Sequence, residues 1–138
     1  MSIATMPRTE EATTVATATA PEAFLSCYKI SKDLMGSATL NAKFVVSVNG
    51  EGGGTVSGSG LLTQPVNPPV HHQFTNLRGH YTSNEGRILL IASDTIPGAS
   101  LQLTMDLTSW QSGKADFRWY VNNKFNQVEG ANATSVPC

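Results

Sequence analysis

A chain of 138 residues, 40% apolar and 14% charged, is sized for one domain around one buried core. A net charge of −1 without a basic cluster excludes the electrostatic footprint of a nucleic-acid or anionic-membrane binder. Patterned apolar runs at low charge density exclude a wholly disordered chain, and no stretch is long enough to span a bilayer as a helix.

Residues 1–21 are rich in Thr and Ala, contain Pro7 and Pro21, and lack apolar periodicity. They are expected to form a disordered leader ahead of a single folded domain over 22–138. Glu10 and Glu11 stand where a secretory signal would be apolar, so cytoplasmic residence is the default expectation, with unconventional secretion as the open alternative. On that default Cys27 and Cys138 are expected as reduced thiols. The opposite outcome, a disulfide, requires first and last strands to be neighbours in a closed meander.

The first strand is read from Phe24 to about Ile30, followed by a loop over Ser31 to Ser37. In the second, Leu40, Ala42, Phe44, Val46 and Val48 share one face, while Asn41, Lys43, Ser47 and Asn49 share the other. Asn49-Gly50, followed by more glycine, marks a hairpin into a third strand over Thr55 to Gln64. Gly58 and Gly60 on that strand could bend it or admit a bulky neighbour. Pro65, Pro68 and Pro69 then forbid regular pairing.

A long fourth strand follows, Val70 to about Thr82, with a tight turn over Ser83 to Gly86. The fifth, Arg87 to Ala92, is an apolar run without alternation, as expected for a strand covered on both faces or one with poor solvent access. Leu101, Leu103, Met105 and Leu107 alternate with polar residues in the sixth, as do Ala115, Phe117, Trp119 and Val121 in the seventh. Asn122-Asn123 turns into a weak eighth segment, Phe125 to Glu129, beyond which the chain reads as loose. The whole is an all-β, antiparallel eight-stranded meander. A small calycin-like barrel is favoured over a two-sheet sandwich.

Several local patterns carry a resemblance. Gly58-Ser59-Gly60, Thr63-Gln64, Asn67-Pro68-Pro69, the spacing of Leu77, Gly79 and Tyr81, and Trp110-x-Ser112-Gly113-x-Ala115 are similar to a bacterial domain-of-unknown-function family, number eighteen forty-two. The similarity runs from about Phe44 to Val128 and implies small all-β proteins without an assigned activity. It also implies a longer loop after the fifth strand than Asp94 to Gly98 provides here.

Candidate chemistry is sparse. His71 and His72 are adjacent and diverge across a sheet, while eight steps along one strand would separate His72 from His80 by roughly 26 Å. Zinc needs ligands at about 2.0–2.3 Å, so no metal site is expected. Asp106 and Asp116 face solvent beside Lys114 and Arg118, which cross-strand ion pairing explains. Neither a nucleophile elbow nor a phosphate loop is present, and no cofactor is implied.

The most suggestive group is His72, Phe74, Asn76, Arg78 and His80 on one face of the fourth strand, with Tyr81 at its end. Arg78 would supply a planar fork of donors to a carboxylate or sugar. A solvated strand face would look the same. The reading that follows is a non-catalytic barrel binding a small ligand or a protein partner. Two alternatives stay open: a barrel enzyme of isomerase or cyclase type using Arg78, His80 and Tyr81 at the mouth, and a membrane-active or toxin-like β-protein.

Overall fold

A computed structural model describes residues 22–50 and 52–138. The expected leader, 1–21, lies outside the described residues. Eight strands follow one another: β1 (Ala23–Ser31), β2 (Thr39–Val48), β3 (Gly53–Gln64), β4 (Val70–Asn84), β5 (Arg87–Ile96), β6 (Ala99–Ser109), β7 (Ser112–Val121) and β8 (Lys124–Val136). Each pairs antiparallel with the next, and β8 pairs with β1 to close a barrel. Closure gives every strand two neighbours and rules out the two-sheet sandwich, while Lys124–Ala131 of β8 and Val70–Leu77 of β4 are paired on one side only.

Turn chemistry fixes the register. Glu85-Gly86 and Asn122-Asn123 have positive φ at both positions, which two-residue hairpins require for their twist to match the strands. Curvature comes from glycine within strands. A Cβ on Gly58 would overlap the Lys43 carbonyl, and one on Gly79 would overlap the Ile91 carbonyl. Neighbouring backbones can approach this closely only where the side chain is missing.

The inner face is filled. Phe44, Val46, Leu101, Leu103, Met105, Phe117 and Trp119 are buried together, as their alternation requires, and Val48 is half-buried near the end of β2. Tyr28, Phe74, Leu40, Leu62, Leu77 and Leu90 complete the largest side chains of this interior. An eight-stranded barrel is just wide enough for such side chains to meet across its axis.

Three expectations are corrected. β5 is covered on one face only: Ile88, Leu90 and Ala92 point inward, while Leu89 and Ile91 are about half exposed. Both faces of this strand are apolar, so its period of two was hidden. The chain beyond Glu129 is not loose, because β8 runs to Val136 and its inward Ala131 and Ala133 are buried.

The third correction concerns the cysteines, which are joined in a disulfide with Cα atoms 5.5 Å apart. Backbone pairing of β1 with β8 begins at Cys27 opposite Val136, two residues before Cys138. The cross-link therefore staples the closing seam where its hydrogen bonds end. The strand order brings the two thiols together; composition near the N-terminus has no bearing on that distance.

Candidate functional site

The six residues singled out on and beside the fourth strand do not share a face. Gly58 pairs with Leu77 and Gly60 with Phe74, so Ser59 stands opposite both Thr75 and Asn76. One extra residue in a strand reverses the alternation beyond it. His72 and Phe74 point inward before the bulge. Leu77 and Tyr81 point inward after it, and Arg78 and His80 are exposed on the outside. Arg78 and His80 thus lie across the wall from Tyr81, and the three do not form a barrel-mouth site.

Part of the group does come together outside. Arg78 Nε donates to Asn76 Oδ1 at 2.7 Å, and the backbone N–H of Asn76 donates to Asp94 Oδ2 at 3.0 Å. Asp94 Oδ1 also accepts from the Thr95 N–H at 2.7 Å. Asp94 belongs to β5 and was not singled out from the sequence. Its short segment reads as a turn, and the β4 bulge is what brings the Asn76 N–H to it.

The histidines are dispersed. His71 lies outside, its Nδ1 3.1 Å from Thr63 Oγ1, and the bulge sets His72 and His80 on opposite faces. Among the described residues no group of three His, Cys, Asp or Glu side chains is placed to hold a metal. Asp106 is bonded to Arg87 of β5 instead of the expected Lys114, whose Nζ donates to Asn132 Oδ1. Asp116 Oδ1 accepts from the Gly130 N–H at 2.7 Å, at a second bulge where Asp116 faces two residues of β8.

The two ends of the barrel are chemically unlike. At the end carrying the β2–β3, β4–β5 and β6–β7 turns, Trp110 folds over the opening and meets Phe24 and Tyr81 edge-on at 5.2 and 5.0 Å. Beneath it, the Tyr28 hydroxyl accepts from Ser26 Oγ and donates to the Trp110 carbonyl, both at 2.7 Å. Burial raises the Tyr28 pKa against the lowering effect of the Ser26 hydrogen bond, and burial raises that of Tyr81.

At the other end, the β1–β2 and β3–β4 loops expose Leu34, Met35 and Val66, with Met35 fully in water. A cavity of about 250 Å³ opens there between Ser37, Gln64, Val66, Trp119 and Gln127. The buried Nε1 of Trp119 and Nε2 of His72, both on strands that begin or end here, have no hydrogen-bond partner among the described residues.

No curated protein matches this chain. A family match does, and it takes in β1, which the local motifs left out; it runs only to Phe125, the second residue of β8. Covering more than half of the sequence, the match over residues 22–125 establishes that the chain belongs to the family described as Domain of unknown function (DUF1842).

Proposed function

We propose that this barrel is a non-catalytic binding module that engages a protein partner through its loop end. The observation that carries the reading is the contrast between the two ends. Leu34, Met35 and Val66 stand in water on two neighbouring loops. The opposite turns present Asn49, Gly50, Asn84, Glu85 and Gln111. Clustered apolar tips on one pole of a filled barrel suit docking, since burying them recovers transfer energy that folding leaves unused. A filled interior leaves the outside as the place for recognition.

The Cys27–Cys138 cross-link supports a working compartment in which thiols oxidise, in place of the cytoplasm expected from the N-terminal composition. A photo-crosslinking residue at position 35, compared with one at position 85, tests the docking reading in the producing cell. Position 35 should label one defined protein. Once purified, that protein should bind the barrel at least about tenfold more weakly after Leu34→Asp with Met35→Asp, as expected for central apolar anchors. Equal labelling from both positions, or unaltered affinity in the double variant, would refute it.

A further inference from the structure

The outer face of β6, β7 and β8 carries a constellation apart from the apolar tips Leu34, Met35 and Val66, with Gln127 bordering both it and the loop-end cavity. Tyr120 and Phe125 are direct cross-strand partners, each about half exposed. Their ring centroids lie 5.3 Å apart with planes tilted by 56°. Two residues further along the strands, Arg118 faces Gln127. Beyond that comes the β8 bulge, where the Gly130 N–H holds one oxygen of Asp116.

Beside Arg118, Gln127 and Asp116, adjoining the aromatic pair along the strands, lies a cleft of about 300 Å³. Gln102, Thr104, Asp116, Arg118, Gln127 and Glu129 wall it, with Phe117 and Val128 behind them from the core. Among the described residues, the side chains of Gln102, Arg118, Gln127 and Glu129 form no hydrogen bond or ion pair within the protein. The cleft therefore offers two amides, a guanidinium and a carboxylate whose hydrogen-bonding capacity is open to a ligand.

We propose that this face binds a neutral oligosaccharide, one sugar ring lying on Tyr120 and Phe125 and a neighbouring ring entering the cleft. A pyranose has an apolar C–H face that packs on an aromatic ring, and a rim of hydroxyls that both donate and accept. The aromatic pair matches the first, and the mixed amide, carboxylate and guanidinium wall matches the second. From Tyr120 to Asp116 the strand advances four residues, about 13 Å, which is room for two linked rings.

Competing ligand classes fit less well. Asp116 and Glu129 outnumber Arg118 in the wall, which disfavours the phosphates of nucleic acid and anionic glycans. An extended peptide would add to the stretch of β8 that β1 leaves unpaired, Lys124–Ala131, on the side of β8 away from β6 and β7, and would leave Gln102, Thr104 and Arg118 unused. A purely apolar ligand would leave the polar wall desolvated and unpaired.

The test is calorimetric titration of the intact protein with three probes, cellotriose, maltotriose and N-acetylchitotriose, with amide chemical shifts followed in parallel. At least one probe should bind and shift the resonances of β7 and β8. Tyr120→Ala and, separately, Gln127→Ala should each weaken it about tenfold or more, as loss of a stacking ring or of a bidentate amide implies. Both residues are exposed on the outer face, so folding should survive their truncation. Leu34→Asp with Met35→Asp should leave sugar binding unchanged, which separates this site from loop-end docking. Failure of all three probes, unchanged binding in both cleft variants, or tighter binding of polygalacturonate would overturn the proposal.

Discussion

One end of this barrel is closed by its own side chains and the other leaves apolar side chains in water. At the closed end, Trp110 is held by Phe24 and Tyr81 at its edges and by the Tyr28 hydroxyl on its carbonyl. At the loop end, Trp119 is buried against Phe117 at 5.5 Å, yet its indole N–H has no acceptor among the described residues. The same residue type is placed for stability in one case and left with an unmet hydrogen bond in the other. Loops carry the difference. Tight turns at the closed end let a bulky ring fold back, whereas the longer β1–β2 and β3–β4 connections project Met35 and Val66 outward.

That contrast can be broken in order of expected effect. Phe117→Ala removes a ring from the common interior and should cost about 3–5 kcal/mol, read from denaturant unfolding, through lost transfer energy and the cavity left behind. A loss below 1 kcal/mol would show that the interior is less tightly filled than its burial implies.

Opening the seam comes next. Cys27→Ser with Cys138→Ser removes a cross-link spanning 111 residues of sequence and should cost about 2–5 kcal/mol, chiefly by releasing the unfolded chain. The melting temperature of the unsubstituted protein should fall correspondingly under reductant, and an unchanged value would rule out a stapling role.

Tyr28→Phe sharpens the comparison at the closed end. Losing the hydroxyl should cost about 1 kcal/mol, because the Trp110 carbonyl and Ser26 lose their shared partner. Burial raises the Tyr28 pKa above its ordinary value of 10.0, so the folded protein holds the phenol proton more tightly than the unfolded chain. The associated stability is complete below pH 10.0 and disappears as pH rises through the folded value. Stability should therefore decline in alkali, and Tyr28→Phe should decline less steeply, the raised pKa of Tyr81 still contributing. Equal slopes would contradict the assignment. The smallest effect belongs to the loop end, where Met35→Asp should leave stability within about 0.5 kcal/mol.

The alternation of β2, β6 and β7 made most of the barrel legible, because one face of each strand is apolar and the other polar. β5 misled because Leu89 and Ile91 are apolar without being covered. The candidate site misled for a different reason. Counting every second residue from His72 to His80 assumes an unbroken strand, and the extra residue at Thr75-Asn76 turns Arg78 and His80 to the face opposite His72 and Phe74. No side chain announces such a bulge; it arises where β3, bent around Gly58 and Gly60, must stay in register with a longer neighbour. Asp94 was missed because its role depends on the same bulge.

By itself, the sequence determined the all-β class, the eight-strand order and the apolar inner face, since these follow from local periodicity and turn chemistry. Only the tertiary structure decided which residues share a surface. Closure of β1 on β8 brought Cys27 to Cys138, and two bulges set which side of the wall Arg78, His80 and Glu129 occupy. Packing decided that Trp110 seals one end while Met35 remains in water at the other. These are consequences of long-range pairing and chain geometry, and no short stretch of sequence encodes the distance between residues that meet only when the barrel closes.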